Sequence, residues 1–247
     1  MGITYGTSTL FQATKGIVQD GLVLNLDAGV NKSYPRNGTA WYDLAGSNSG
    51  TLINGPTFDR GEGGSINFDG TNDHVDLSNF NFFNYCDYNK PFSLCVRCKL
   101  SGTSNQEIMG HQLSGGTYRG IALQVWNGTF RFSMFKDLSN RTYCNSSDSS
   151  TNTYYDVVGT FNGSNHSTGF SVYVNGQDDL QSVNPIGTID QSLEASDGLV
   201  LGVRGEISGS KDAWFGGTIY GVSIYNRELT AAEVLQNYNA TKARFGL

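Results

Sequence analysis

Hydrophobic residues in this chain recur at every second position within short runs. Near the start, Leu22, Leu24 and Leu26 fall on one side of such a run, and Asn25 and Asp27 fall on the other. A period of two is typical of a β-strand that buries one face. We therefore predict a strand whose leucine face is turned toward a core.

A short polar segment interrupts the alternation between residues 65 and 77. Small or acidic residues occupy positions 69–73, and apolar residues alternate on both sides, at Ile66, Phe68, Val75 and Leu77. Asp, Asn, Gly and Thr are residue types that suit tight turns. The pattern predicts two strands that meet at a sharp acidic corner.

An Asn-Gly pair marks the clearest hairpin. Asn127 and Gly128 separate residues 118–126 from residues 129–135, and both can adopt the positive φ that a two-residue hairpin turn needs. Alternation in the second strand places three residues on the core face: Phe130, Phe132 and Met134. The opposite face carries Arg131, Ser133 and Phe135. Further strands are predicted over residues 41–44, 50–54, 92–100, 154–161, 170–174, 199–203 and 218–225.

A single helix is predicted after the last strand. Thr230 and Glu233 form a capping box, and Leu229 and Val234 can close a hydrophobic staple around it. We expect this helix to run to about residue 242 and to stop near Gly246.

The composition agrees with an all-β fold. The 247 residues include 32 glycines and only 15% charged residues, a balance typical of many short strands joined by tight turns. We predict a two-sheet antiparallel β-sandwich with a short C-terminal α-helix. Residues 21–247 suffice for one such domain, since sandwiches commonly reach roughly 250 residues. Residues 1–20 lack alternation and are predicted to form an N-terminal arm or attachment segment.

Charge and targeting signals narrow the function classes. The net charge is -6 and the basic residues are spread along the sequence, so no basic face is visible and we expect no nucleic-acid partner. The N-terminus lacks a secretory pattern, and no run approaches the ~18 apolar residues of a membrane span.

Because no export signal is visible, we expect the four cysteines to be free thiols, namely Cys86, Cys95, Cys98 and Cys144. Cys95 and Cys98 would point to opposite faces of one strand, which argues against a shared metal.

Five segments together resemble the concanavalin A-like, laminin-G-like jelly-roll superfamily. They are residues 21–28 (GLVLNLDA), 41–44 (WYDL), 68–75 (FDGTNDHV), 172–176 (VYVNG) and 224–230 (IYNRELT). The resemblance covers nearly all of residues 21–247 and implies a jelly-roll sandwich. It also raises three kinds of site: a glucanase centre, a calcium site and a sugar-binding surface.

The sequence does not favour catalysis. Glucanases need paired carboxylates across a cleft, and no Glu-x-Asp-x-x-Glu motif is present. Glu107 is isolated, Glu206 lies in a glycine-rich segment, and the adjacent Asp178 and Asp179 would project to opposite faces of a strand. Gly-x-Ser-x-Gly is also absent. We predict that the protein is not an enzyme.

Calcium and sugar remain as ligands that the resemblance implies. Asp27, Asp69 and Asp73 are hard oxygen donors near turns, as a calcium site at the sandwich rim would need. We favour the simpler interpretation that Asp69 and Asp73 cap their turn, because no dense Asp-x-Asp run exists, and we expect no resident cofactor. By residue type, the candidate sugar platforms are Tyr118, Trp126, Tyr155 and Trp214, although most aromatic side chains must fill the core.

The opening at residues 26–28 and the ending at residues 229–246 look most like structural proteins of tailed bacteriophages. This resemblance implies a non-enzymatic virion protein, made in the host cytoplasm and displayed on the particle exterior, with capsid decoration as its first placement. Its partners would be other virion proteins, a second copy of itself and host-surface glycans. The alternatives are a tail or fibre-tip adhesin, a free carbohydrate-binding lectin, and a glycosidase with a divergent site.

Overall fold

A computed structural model of the chain describes residues 15–113, 118–164, 166–193, 198–205 and 209–247. Residues 1–14 of the predicted arm lie outside the described residues, and so does Glu206. In chain order the strands are β1 (Leu22–Asp27), β2 (Ala40–Trp41), β3 (Gly50–Ile53), β4 (Thr57–Asp59), β5 (Ser65–Asp69), β6 (His74–Leu77), β7 (Pro91–Leu100), β8 (Gln106–Gln112), β9 (Gly120–Trp126), β10 (Thr129–Asp137), β11 (Asn140–Asp148), β12 (Tyr154–Asn162), β13 (Phe170–Val174), β14 (Gln177–Asp178), β15 (Ser182–Ile186), β16 (Leu199–Leu201), β17 (Arg204–Gly205), β18 (Lys211–Asp212) and β19 (Gly216–Tyr225).

Two large antiparallel sheets face each other. The first has eight strands in the order β14-β13-β12-β7-β19-β5-β4, with β1 beside β19, and we call it the back sheet. The second has nine strands in the order β15-β11-β10-β9-β8-β16-β6-β3-β2, and we call it the front sheet. A small hairpin pairs β17 with β18. The fold is the predicted two-sheet sandwich.

The hydrophobic core lies between the inner faces of the two sheets. Phe92 of the back sheet meets Phe132 of the front sheet edge to face, with ring centroids 5.7 Å apart. Phe130, Phe132 and Met134 are all buried, as alternation predicts. Gly159 of β12 leaves the space that Phe132 fills, since an added Cβ would lie 2.6 Å from the Cγ of that ring. The sheets are therefore held together by interleaved aromatic side chains.

The C-terminal helix packs on the outer face of the back sheet. It spans Ala231–Thr241 and continues as a 3₁₀-helix over Lys242–Phe245. The capping box is present as predicted, and Leu229 and Val234 are both buried beside Tyr225. Gly246 has φ 73°, the left-handed conformation expected where the helix stops. Among the described helices, none is long and apolar enough to cross a membrane.

The last part of the predicted arm lies against this helix. The Val18 amide donates to Asn237 Oδ1 at 2.8 Å, and Tyr225 Oη donates to the Val18 carbonyl at 3.0 Å. Val18 is buried, and Gln236 Nε2 donates to the carbonyl of Gly16. Residues 15–20 therefore pack against the folded body, and the N-terminal arm or attachment segment over residues 1–20 stays a prediction.

Most predicted strands are present, with small differences at their ends. Asn127 and Gly128 have φ of 50° and 79°, which is the backbone of the predicted hairpin turn. The stretch predicted at residues 41–44 is shorter, since only Ala40–Trp41 pairs in a sheet. Seven strands have no counterpart in the sequence prediction, namely β4, β8, β11, β14, β15, β17 and β18. The three longest of them, β8, β11 and β15, belong to the front sheet. The four cysteines are free thiols; Cys98 points into the core, and Cys95 packs on the opposite face beside Tyr225.

Candidate binding groove

The outer face of the front sheet carries three parallel rows of side chains. Cross-strand pairing sets each row, because paired residues in an antiparallel sheet point to the same side. The first row is Glu107, Gln124, Arg131 and Asn145. The second is Gly110, Ala122, Ser133 and Tyr143, and the third is Gln112, Gly120, Phe135 and Arg141.

A groove of about 370 Å³ lies on this outer face, and its volume is within the range of small-molecule sites. Its lining includes residues of the first and third rows together with Tyr143, while Gly110, Ala122 and Ser133 of the middle row do not line it. Its lining consists of Gln112, Tyr118, Gln124, Trp126, Asn127, Arg131, Phe135, Leu138, Arg141, Tyr143 and Arg204. We call this surface the groove.

Arginine and aromatic side chains stack along the groove. The guanidinium of Arg131 lies 4.0 Å from the ring centroid of Tyr143 and 5.1 Å from that of Trp126. Its Nε also donates to Asn145 Oδ1 at 2.8 Å. Arg141 lies over the ring of Phe135 at 5.8 Å. These contacts order long side chains on the sheet surface and keep the rings at its mouth.

The β17–β18 hairpin contributes one more arginine. Arg204 makes a two-pronged ion pair with Asp212, with Nε–Oδ1 and Nη2–Oδ2 distances of 2.7 and 2.8 Å. Its guanidinium stacks 4.7 Å from the ring of Tyr118. This pairing holds Arg204 in one orientation against the groove.

Polar side chains form the rest of the floor. Gln124 Nε2 donates to Ser133 Oγ at 3.0 Å, which fixes one amide. Gln112 is 2% exposed, and its Nε2 has no hydrogen-bond partner among the described residues. A buried donor without a partner is costly, so this amide is available to a ligand that enters the groove.

Glu107 is a buried acid at the end of the first row. It is fully buried, and neither carboxyl oxygen has a hydrogen-bond partner in the part of the chain that the structure describes. Burial raises the pKa of Glu107 well above its usual value, and the attraction of Arg204 opposes that shift only in part. Burial thus favours the neutral form of this side chain, and Glu107 does not line the groove.

Asp27, the first predicted metal ligand, is engaged by arginines on the other side of the molecule. Arg244 Nη1 donates to Asp27 Oδ1 at 2.6 Å, and Arg97 Nη1 lies 3.9 Å from Asp27 Oδ2. The amide of Gly29 also donates to Asp27 Oδ1. The Asp27 carboxylate therefore holds the C-terminal segment against the back sheet.

Asp69 and Asp73, the other predicted ligands, lie at the acidic corner between β5 and β6. Asp69 Oδ1 accepts from the amides of Thr71 and Asn72 at 2.8 and 3.2 Å, and these bonds lower the pKa of Asp69. Asp73 Oδ2 accepts from the amide of Asp69 at 3.0 Å. Both side chains hydrogen-bond the turn backbone. Within the described ranges, no three His, Cys, Asp or Glu residues come together as metal ligands, so these three aspartates do not share a site.

Of the four aromatic side chains predicted as candidate sugar platforms, two line the groove and two do not. Tyr118 and Trp126 line the groove. Tyr155 is buried in the core, edge to face with Phe130 at 4.9 Å, and Trp214 contacts His74 away from the groove lining. Pairing of β10 with β11 places Arg131 and Arg141 on one surface, a proximity that the sequence analysis did not predict. The expected absence of a nucleic-acid partner stays a prediction. Alternation assigns Arg131 and Phe135 to the outer face, but nothing local in the sequence indicates that Tyr143, Arg141 and Arg204 join them.

A family comparison identifies the fold from sequence. The model of the Concanavalin A-like lectin/glucanases superfamily matches residues 69–235. The chain belongs to this superfamily. Residues 21–28 and four further segments resemble the same superfamily, as the sequence alone had indicated. No curated protein matches the sequence.

Solved structures share the fold at low sequence identity. Trypanosoma rangeli sialidase in complex with sialic acid is 18% identical with a TM-score of 0.63, and the match covers 91% of this chain but 33% of the sialidase. The chain thus spans about a third of the length of the sialidases it matches. The binding domain of Paraclostridial Mosquitocidal Protein 1 is 15% identical with a TM-score of 0.65, covering 90% of this chain and 52% of that one.

One similar structure is a single domain solved with a saccharide. Domain 4 of AbnA, an extracellular arabinanase of family GH43 from Geobacillus stearothermophilus, is in complex with arabinotriose. It is 16% identical, with a TM-score of 0.59, and the match covers 88% of this chain and 98% of the domain. These likenesses establish a lectin-type sandwich. The ligand of this superfamily member has to be inferred from its own groove.

Proposed function

We propose that this protein is a non-enzymatic glycan-binding protein that holds a saccharide in the groove on the front sheet. The observation that carries the proposal is a cavity of about 370 Å³ in which aromatic rings and side-chain amides meet. Aromatic faces pack against the C–H faces of sugar rings, and amides and guanidinium groups hydrogen-bond sugar hydroxyls. A lectin-type fold and a neighbour solved with arabinotriose support the same assignment.

Trp126 is the residue on which this proposal can be tested. Truncation in Trp126→Ala removes the largest ring of the groove, and we expect binding of an oligosaccharide hit from a glycan array to weaken about tenfold or more in calorimetry. Trp214→Ala is the matched control, because Trp214 does not line the groove. Thermal unfolding checks that both variants fold. Equal loss in the two variants, or no array hit with the wild type, would contradict the proposal.

We also propose that the groove binds without turnover. None of its described lining residues is an Asp or Glu, whereas most glycoside hydrolases place two carboxyl groups across the scissile bond. Glu107, the nearest acid in the row pattern, is fully buried beside the groove. Incubation with bound oligosaccharides should release no new reducing ends. Sustained release that Glu107→Gln abolishes would instead make the protein a glycosidase.

The finer placement on a phage particle stays a prediction from sequence resemblance. Under it, the groove would meet host-surface glycans from the exterior of the capsid, and a tail or fibre-tip adhesin is the alternative placement. Mass spectrometry of purified particles should detect the chain at many copies for capsid decoration and at few copies for a tail position. Absence from particles would leave a free lectin.

A further inference from the structure

The groove carries positive charge that its own walls do not neutralise. Arg131, Arg141 and Arg204 all line it, and among its described lining residues there is no carboxylate. The ion pairs found in the described part of the chain include Arg204, through Asp212, but neither Arg131 nor Arg141. Two guanidinium groups therefore face the groove without an acidic partner, in a protein whose net charge is -6.

The surroundings of Arg131 intensify this imbalance. Its guanidinium is half-buried between two rings, and burial together with the nearby charge of Arg141 lowers the pKa of Arg131. Desolvation weakens the competition of water for a charged group, so an anion that reached this position would be held more strongly than on an open surface. Planar guanidinium groups suit carboxylate and sulfate oxygens because two N–H bonds can be donated in parallel.

Neighbouring acids do not cancel the charge. Glu107 is fully buried beside Arg204 and does not line the groove, and burial raises its pKa. Asp190 pairs with Lys136, with an Nζ–Oδ1 distance of 2.7 Å, and Asp137 accepts from the Ser139 and Asn140 amides that follow it. Asp190 and Asp137 therefore each have partners outside the groove lining.

We propose that the groove selects acidic saccharides, and that Arg131 and Arg141 bind the carboxylate or sulfate group of the sugar while Trp126 and Tyr143 contact its ring. This rests on the proposed glycan binding and adds the substrate class to it. Gln112, with its buried amide donor, supplies a further hydrogen bond to the same ligand. Arg131 is already anchored to Asn145, so Arg141 is the residue whose charge can be changed with least disturbance to the stacked rings.

The experiment compares matched sugars that differ in their acidic group. Calorimetry would be run with galacturonic acid oligomers against galactose oligomers, with sialyllactose against lactose, and with a sulfated against an unsulfated disaccharide. We expect at least one acidic ligand to bind about tenfold tighter than its neutral counterpart, which is the usual strength of one charge-assisted hydrogen bond. Raising the salt concentration from 50 to 300 mM should weaken binding of the acidic ligand only, because dissolved ions screen the attraction between its charge and the guanidinium groups.

Three variants assign the effect to the groove. Arg141→Gln should reduce binding of the acidic ligand about tenfold and leave the neutral ligand unchanged, whereas Arg141→Lys should retain part of the preference. Arg60→Gln is the matched charge control, since Arg60 is exposed and does not line the groove. Thermal unfolding confirms that each variant is folded.

The outcomes separate this inference from the proposed function. Neutral sugars bound as tightly as acidic ones, with Trp126→Ala still damaging, would overturn the acidic preference and leave glycan binding intact. Binding of no saccharide at millimolar concentration would overturn both. Equal affinity for a single-stranded DNA of the same charge would overturn selection of a saccharide and make the groove a general polyanion site.

Discussion

At the residue scale, burial decides what the ionisable side chains do. Asp156 lies on the back sheet directly across from Arg97, and both side chains are buried. Burial raises the pKa of Asp156 to about 6 from 3.8, although Arg97 draws it down. A carboxyl group with a raised folded-state pKa binds its proton more tightly in the folded protein. Its contribution to stability is therefore largest at low pH and is lost as the pH rises through about 6.

The replacement Asp156→Asn tests the direction in which stability changes with pH. Between pH 4 and pH 7 the free energy of unfolding of the variant should rise relative to wild type by about 2 to 3 kcal/mol, since each pKa unit is worth about 1.4 kcal/mol. Urea titrations at several pH values measure the difference. Asp148→Asn, at an exposed position, controls for the loss of one negative charge. A variant that loses relative stability over this pH range would show that Arg97 outweighs burial.

Asp69 and Asp73, at the corner between β5 and β6, show that residue type alone does not distinguish a metal ligand from a turn cap. Oxygen donors near a turn suit calcium and suit backbone capping equally well in sequence. In the structure, Asp69 and Asp73 hydrogen-bond the amides of their own turn, while Asp27 pairs with arginines elsewhere. What distinguishes the two uses is whether the carboxylates converge, and convergence depends on chain segments that are far apart in sequence.

At the scale of elements, strands with strict alternation were predictable and polar strands were not. Residues 129–137 alternate because one face is core and the other is surface. By contrast, β8 reads Gln-Glu-Ile-Met-Gly-His-Gln, and every residue of it is buried. Its outer face is covered by the β17–β18 hairpin, for which the sequence gives no local signal. Of the strands that carry the groove, β9 and β10 were therefore predicted, whereas β8, β11 and β17 were missed.

The C-terminal helix was predictable from its cap alone. Thr230 Oγ1 accepts from the Glu233 amide at 3.3 Å, and Glu233 Oε2 accepts from the Thr230 amide at 2.9 Å. Arg227 also holds the Glu233 carboxylate, which lowers the pKa of Glu233 to about 2. Thr230→Ala should cost about 1 kcal/mol of unfolding free energy in urea titrations, whereas Thr230→Ser keeps the hydroxyl and should cost much less. Equal costs for the two variants would assign the loss to the methyl group instead of the cap.

At the scale of the whole molecule, the sandwich separates two surfaces. The helix and residues 15–20 cover the outer face of the back sheet, and the groove lies on the outer face of the front sheet. A chain attached through its N-terminal side would therefore leave the groove accessible.

Truncation measures how far the N-terminal segment belongs to the body. Deletion of residues 1–20 should lower the unfolding free energy by about 3 kcal/mol relative to deletion of residues 1–14, because it removes buried Val18 and its two buried hydrogen bonds. Both proteins should retain the near-ultraviolet circular dichroism of a folded core. If the two truncations are equally stable, residues 15–20 contribute nothing to the fold.

The sequence by itself determined the strands with alternating faces, the Asn-Gly and capping-box signals, and the superfamily, because these depend on residues close together along the chain. Only the tertiary structure decided the groove. Arg131, Tyr143 and Arg204 are brought together by cross-strand register and by the β17–β18 hairpin, and the partners of Asp27 come from the C-terminus. Such juxtapositions follow from how two sheets stack and pair, which alternation within one strand does not specify.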